Sequence, residues 1–322
     1  MTESGKANVS RRDFLRVAAI TAGAAVVGGV DVFPANAFES GEMPKRQLGN
    51  MGFNASILGL GGAPIAGIPN DDAVAILDRC FELGMNYFDT AAQYGDGESE
   101  RKYGLWLQKI QSEGKRADVF VATKTLTRRY DDASREIERS WGNLNTEYID
   151  LLQVHSITGL DVWREVNSEN GAFRAIKAAK EDGRVRHLGI TGHVHPDFLR
   201  AALEDYPFDS VLFPLGVEDR IFAPHFHRDL LPELVEKGIS VVAMKVYAEG
   251  KLIAAGGDKE RSLHYTMSLP ISTMIVGMNR VEQVDENVGY VYSYTGMSEE
   301  EIIQLTRDSR NLLKAREIWW KN

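Results

Sequence analysis

Cysteine is nearly absent: the 322 residues contain one, Cys80. A single thiol excludes an internal disulfide and any cysteine-only zinc or iron–sulfur site. In "AVAILDRCFEL" it sits at helical spacing, where a small hydrophobe is buried. A basic surplus is missing too. Lys and Arg number 37 against 46 Asp and Glu, a formal net charge of -9, so the basic surface that a nucleic-acid partner demands is not there. The run from Val17 to Val30 is too short and too weakly apolar to read as a membrane span. No linker or low-complexity tract divides the chain. No G-x-G-x-x-G opens the first helix, which weighs against the usual dinucleotide-binding open sheet. Paired histidines occur in "GHVHP" and "HFH", but no third ligand accompanies either, so no metal is expected.

The first 37 residues have a layout of their own. "SRRDFLR" (Ser10–Arg16) sets two arginines before an apolar pair, Val17 to Val30 is rich in Ala, Gly and Val, and "PANA" ends in the small-residue pattern Ala35-x-Ala37. A charged region, an apolar region and a cleavage site in that order make a signal peptide. Arg11 and Arg12 with Phe14 and Leu15 resemble the twin-arginine export signal, which implies passage through the twin-arginine translocation machinery. Residues 1–37 are expected to be that signal and 38–322 a single domain, exported, or tethered to the membrane if the signal stays uncleaved. A chain almost without cysteine suits an oxidising compartment.

Beyond the signal, strand and helix patterns alternate. "ASILGLGG", "NYFDT", "DVFVATK", "IDLLQVH", "VRHLGIT", "DSVLFPL", "ISVVAMK" and "STMIVG" read as strands, each followed by a helical pattern. "DDAVAILDRCFELG" is typical, with acids in its first turn and Gly84 closing it. Strict alternation means parallel strands with right-handed crossovers. Eight repeats in this length predict a closed (β/α)8 TIM barrel rather than an open sheet. "RQLGNMGFNAS" predicts a small hairpin before the first strand, and "SEEEIIQLTRDSRNLLKAREI" a final helix.

In such a barrel the chemistry lies where strands end. The second strand ends on Asp89, the third on Lys124 and the fourth on His155. Adjacent strands lie roughly 4.8 Å apart, so these heads can meet, and Tyr94 on the loop after Asp89 can fold back over them. A buried Asp–Lys pair is poor evidence for stability, which favours a functional reading. A phenol titrates near ~10, and a neighbouring ammonium is expected to lower that value. The set suits protonation of a carbonyl oxygen while something else attacks carbon. Each residue alone also has a plain structural reading, as turn cap, solvated strand end, core imidazole or packed aromatic. Their joint placement favours chemistry.

At these positions the sequence resembles the aldo-keto reductase superfamily. "NYFDTAAQYGDGESE", "VFVATK" and "LLQVH" carry the likeness, together with "KRQLGNMGFNASILGLGG", "GRVRHLGITG" and "IVGMNRVEQVDENV". The resemblance implies a (β/α)8 barrel with a β-hairpin closing its bottom and reversible hydride transfer between NADPH and a small-molecule aldehyde or ketone. It implies Tyr94 as general acid/base, Lys124 and Asp89 as the pair tuning it, and His155 as the group orienting the carbonyl. No iron–sulfur segment is present, and a monomer is expected.

For the cofactor, the resemblance implies contacts from Gly62, Asp89 and Gly277, and an adenosine end gripped by "IVGMNRVEQVDEN", with Arg280 on the ribose 2′-phosphate, Asn279 beside it, and Gln283 and Asn287 toward adenine. The nicotinamide side departs from the family pattern. Thr191-Gly192 stand for the usual Ser-Asn, Leu212 for the usual Gln, and Met244 for the stacking aromatic, while Lys245 enters the loop spanning the pyrophosphate. Thr191 keeps a hydroxyl for the carboxamide; Gly192 and Leu212 offer no polar side chain. The alternative is a cofactor-binding regulatory protein, a redox sensor with little turnover like potassium-channel β subunits; a third reading is an isomerase or dehydratase. The acids of "GDGESE" are expected in a solvated loop, and Trp319 and Trp320 either pack on the barrel or border the substrate mouth.

Overall fold

The computed structural model of the chain describes residues 41–321, together with two short strands, Ala25–Val27 and Val30–Val32, paired antiparallel. The arginine pair and the Ala35-x-Ala37 pattern of the expected signal lie outside the described residues.

Eight parallel strands close into a barrel: β1 (Leu58–Gly61), β2 (Tyr87–Asp89), β3 (Phe120–Thr125), β4 (Ile149–Ile157), β5 (Val185–Gly192), β6 (Ser210–Pro214), β7 (Ser240–Met244) and β8 (Thr273–Gly277). Each lies within its expected segment, except that β3, β4 and β5 run one or two residues further, to Thr125, Ile157 and Gly192. Closure is made by β8 against β1, with Gly277 opposite Gly61. Strand residues alternate between the barrel interior and the helical layer. The interior holds Tyr87, Phe120, Leu151, Leu212, Val242 and Met244, with Tyr87 stacked on Phe120 at 5.4 Å. Burying each large apolar side chain fully contributes roughly 1.5–3 kcal/mol. The outer faces pack on helices such as Asn70–Glu82, whose Ala73, Ile76, Leu77 and Cys80 are buried. Cys80 is thus the small core hydrophobe its spacing predicts, and burial pushes its thiol far up.

The predicted hairpin pairs Lys45–Gln47 with Asn54–Ser56 and sends Leu48 and Ala55 into the interior cluster, plugging the barrel bottom. Its turn needs Gly49: φ is +47°, and a Cβ there would sit 2.7 Å from the Gly238 carbonyl oxygen. The two expected segments overlap at Ala55 and Ser56; the hairpin takes both, and the barrel strand begins at Leu58.

Two expectations are corrected. The final helix covers only Glu299–Leu312, opened by a reciprocal Ser298–Glu301 cap, and two 3-10 turns follow, Ala315–Glu317 and Trp319–Lys321. The tail turns because Lys321 is anchored 2.5 Å from Asp219. Ahead of the helix Ala172–Glu181, an additional one, Leu160–Val166, follows β4. Among the described residues no helix is long and apolar enough to cross a membrane.

Candidate active site

Asp89 is the last residue of β2, and register sets it opposite Ala122 of β3. Lys124, two positions on, shares the inward face with Ala122 one pleat higher. Its ammonium bonds the Asp89 carboxylate and donates to the Thr90 carbonyl at 2.8 Å. Both side chains of the ion pair are 1% exposed. The main chain of Asp89 is clamped from behind, its carbonyl accepting from Gly62 N at 2.7 Å and from the Tyr103 hydroxyl at 3.1 Å. Gly62 permits that approach, since a Cβ would stand 2.6 Å from the Asp89 oxygen.

The loop returning Tyr94 over this pair rests on β3 through Thr90 N to Ala122 O (2.8 Å) and Ala92 N to Lys124 O (3.2 Å). Three consecutive left-handed residues, Gly95, Asp96 and Gly97, reverse it into the helix Glu98–Ser112. The Lys124 ammonium lies 5.1 Å from the Tyr94 ring centre, close enough to act on its hydroxyl. The His155 ring stands edge-on to Tyr94 with centroids 6.2 Å apart. The four expected heads thus converge.

His155 reaches them because β4 is irregular. The β4–β5 register shifts between Val154 and Ile157, and Ser156 has φ +57°. Such bulges re-aim a side chain and free backbone groups. Here Arg128 satisfies the carbonyls of His155 (2.9 Å) and Ser156 (2.8 Å), and Thr191 Oγ1 accepts from Ser156 N at 2.8 Å.

Burial dominates the electrostatics. It raises the Asp89 carboxyl, against the pull of Lys124 and Gln153. It opposes the Lys124 ammonium, but Asp89 and Tyr94 outweigh it and raise Lys124. Tyr94 corrects the sequence expectation: burial lifts its phenol above the usual value, and Lys124 offsets this only in part. Burial, then Lys124, His193 and Arg128, hold His155 neutral, well below the ordinary imidazole range. The arrangement offers a protonated phenol with a cation ready for the phenolate, and a neutral imidazole beside it.

Several residues escaped the sequence reading. Gln153 Nε2 lies 3.3 Å from Asp89 Oδ2. It precedes His155 by two in the same strand, so period-2 alternation was its signal. Gln93 Nε2 lies 2.5 Å from His155 Nδ1. His193, just after β5, is buried, and its Nδ1 has no partner. Glu100 is not solvated as expected: it is buried, accepting from Thr123 Oγ1 at 2.6 Å and Asn143 Nδ2 at 3.2 Å.

The remaining candidates spread around the same rim. Thr191 is buried, and Gly192 packs on Leu199, whose Cδ2 a Cβ would meet at 2.9 Å. Leu212 and Met244 belong to the apolar interior. Lys245 has φ +60°, bonds Glu249, and lies 4.9 Å and 4.4 Å from the ring centres of Trp319 and Trp320. Gly277 and Asn279 are exposed, and Arg280 is an exposed N-cap of the helix Val281–Tyr292. Gln283 accepts from Asn279 N at 2.8 Å, while Asn287 bonds the Tyr247 hydroxyl (2.5 Å) and the Gln283 carbonyl (2.6 Å). Both side chains thus brace the loop after β7 and the turn after β8. Two surface depressions, one beside Arg101 and Gln108 and one at the barrel bottom beside Phe53, border none of these groups. Among the described residues no cluster of three His, Cys, Asp or Glu could hold a metal.

Comparison with known proteins agrees with this geometry. Residues 57–265 match the family described as Aldo/keto reductase family. The chain is 32% identical to an L-galactose dehydrogenase of Arabidopsis thaliana, across 76% of this chain and 87% of that one. It is 27% identical to a pyridoxal 4-dehydrogenase of Microbacterium luteolum, across 67% and 74%. The holo form of aldo-keto reductase AKR11C1 from Bacillus halodurans superposes with a TM-score of 0.68 at 26% identity, across 83% and 96%.

Proposed function

The chain belongs to the aldo/keto reductase family, and from that premise we propose that it reduces an aldehyde or ketone to the alcohol with a hydride from NADPH, Tyr94 delivering the proton. The observation that carries this reading is the buried Lys124 ammonium, paired with the Asp89 carboxylate and 5.1 Å from the Tyr94 ring centre, beside a neutral imidazole.

A bound nicotinamide cofactor supplies the hydride. The chain's own groups handle the proton and the carbonyl. Tyr94 gives its proton to the carbonyl oxygen, and Lys124 stabilises the phenolate left behind. Asp89 and the Thr90 carbonyl hold the ammonium in place. With Gln93 Nε2 donating to Nδ1, His155 keeps its own proton on Nε2, free to donate to the same carbonyl oxygen. In alcohol oxidation the phenolate takes the proton back.

The residues present fit the cofactor. Gln153 Oε1 is a buried acceptor without a partner beside Asp89. Gly61 and Gly277 leave bare backbone at the β1–β8 rim. Arg280 stands exposed at a twelve-residue helix N-terminus, suited to the 2′-phosphate. Thr191 serves the carboxamide, Leu212 and Met244 give the nicotinamide an apolar floor, and Lys245 suits the pyrophosphate.

We also propose export through the twin-arginine route, on the strength of "SRRDFLR" and "PANA". Steady-state assays with NADPH and a panel of aldehydes test the enzymatic reading. Turnover on the order of 1–10 s⁻¹ on at least one is expected; cofactor binding without turnover across the panel contradicts it and favours a sensor.

A further inference from the structure

One arginine spends its charge on main chain at the turn that aims His155. The β4–β5 register pairs Val154 with Ile190 and Ile157 with Gly192, so His155 and Ser156 together face Thr191 alone. That extra residue is a β-bulge, which bends its strand and re-aims the side chains beside it. Ser156 takes φ +57°, a left-handed conformation that a residue other than glycine keeps only where its surroundings enforce it. In a regular strand successive carbonyls point to opposite edges; here a single guanidinium reads two in a row. Arg128 Nη1 donates to the His155 oxygen at 2.9 Å and Nη2 to the Ser156 oxygen at 2.8 Å.

Arg128 is itself held from two sides. Its carbonyl accepts from Ala172 N at 2.9 Å, and Tyr130 N donates to the Asn170 oxygen at 2.9 Å. Ahead of it, Glu136 of the helix Tyr130–Leu144 accepts from Leu126 N at 3.0 Å and from the Thr125 hydroxyl. The loop after β3 is thus pinned to two helices, and the guanidinium reaches β4 from a fixed base. The amide freed at the bulge has a partner as well, since Ser156 N donates to Thr191 Oγ1 at 2.8 Å.

Other tasks for this side chain fit less well. Glu136 and Glu165 act on Arg128 through space, while both Nη atoms face main-chain oxygen. A substrate anion gripped by a fork needs those same Nη atoms. A planar fork holds two oxygens in one fixed relation, which a point-charge ammonium does not. With both carbonyls held, the main chain of His155 is fixed just before the left-handed step. The imidazole is then directed toward Tyr94, ring centroids 6.2 Å apart. Without the fork the bulge is free to relax toward regular pairing with β5, and a slip of one residue turns strand side chains to the other face.

We propose that Arg128 is a positioning residue for the reaction: it maintains the β4 bulge that aims His155 at the substrate carbonyl, and it affects turnover through His155 alone. This rests on the carbonyl-reductase reading, in which His155 donates to the carbonyl oxygen.

A double-mutant cycle tests this, read as kcat/KM for reduction of the best aldehyde of the panel with NADPH. Arg128→Ala is expected to lower kcat/KM about ten- to a hundredfold, the cost of a misplaced catalytic group, with NADPH binding within about threefold of wild type. In the His155→Ala background the same change is expected to alter kcat/KM by less than about twofold, because the group it positions is gone. A residue that merely supports the fold shows its loss in both backgrounds. Millimolar guanidinium is expected to restore part of the rate of Arg128→Ala and to leave the double variant unchanged. Arg128→Lys, which keeps the charge without the planar fork, is expected to fall between, and it carries the same cycle if the alanine variant does not fold. Equal losses in the two backgrounds overturn the proposal, as does an Arg128→Ala enzyme within about twofold of wild type. So does a raised KM at unchanged kcat that persists in His155→Ala, which would assign Arg128 to substrate binding. If the wild type reduces no aldehyde, the parent reading fails and the positioning role falls with it; turnover by the wild type with additive losses defeats the positioning role alone.

Discussion

At Tyr94 burial and the Lys124 ammonium pull the phenol in opposite directions, and burial wins. The resting group is therefore the protonated acid that carbonyl reduction needs. Its pKa is raised, so reduction should stay flat from about pH 6 to about pH 9, since the unperturbed phenol already titrates near ~10. Alcohol oxidation requires the phenolate and should rise with pH across the same range. His155 is held neutral well below its ordinary value, so neither direction should show an inflection near ~6.5. Initial-rate profiles of both directions check this, and a reduction rate that falls on passing from acid to neutral pH contradicts it. Arg280 carries a second residue-scale prediction. Charge-assisted bonds to phosphate are worth ~1.5–3 kcal/mol, so Arg280→Met should weaken NADPH about ten- to a hundredfold and leave NADH nearly unchanged. A fluorescence titration in which both cofactors weaken equally would remove the 2′-phosphate role. Asp89, Lys124, Tyr94 and His155 were legible because each is an ionisable or phenolic group at or beside a strand end. Gln153 had only its period-2 spacing from His155 as a signal, and the loop residues Gln93 and His193 had none until the barrel sets their neighbours.

The C-terminal element shows tertiary contacts overriding a helical pattern. "SEEEIIQLTRDSRNLLKAREI" has helical character to its end, yet the helix stops at Leu312. The tail instead delivers Lys321 into a pocket where Asp219 also accepts from Phe226 N (3.0 Å), His227 N (2.8 Å) and His227 Nδ1 (2.8 Å). Burial works against the Asp219 carboxylate, but His227 and Lys321 outweigh it and hold it below the usual range. A carboxyl depressed in the folded state stabilises above its unfolded value, near ~3.9, and that contribution is lost as pH falls through the folded value. Lys321→Met removes one partner of a buried pair, at a cost of about 3 kcal/mol. The acid-unfolding midpoint should consequently move to higher pH. Urea melts at pH 7 and an acid titration followed by circular dichroism measure both, and an unchanged midpoint with unchanged urea stability contradicts the anchor. The helix Leu160–Val166 was missed for a related reason: seven residues give too few apolar positions for a period to emerge.

For the molecule as a whole, alternation of eight strand and helix patterns was enough to specify a closed parallel barrel, because parallel strands bury both faces and read as apolar runs. The hairpin plug was legible through its glycines; its expected segment overlapped that of the first strand at Ala55 and Ser56, and the structure gives both residues to the hairpin. The expected signal makes its own prediction. Arg11→Lys with Arg12→Lys should hold a reporter fused after Asn322 in the cytoplasm, while the unaltered chain carries it out; identical fractionation of the two would end the export proposal. The central claim is that one phenolic proton, poised by a buried ammonium, serves carbonyl reduction. Tyr94→Phe tests it most directly, because it removes one oxygen and leaves the Asp89–Lys124 pair in place. Measured with the best aldehyde of the panel, kcat should fall by about 10²–10⁴-fold with the NADPH dissociation constant within about twofold of wild type. A variant that turns over within threefold of the wild type would contradict the account.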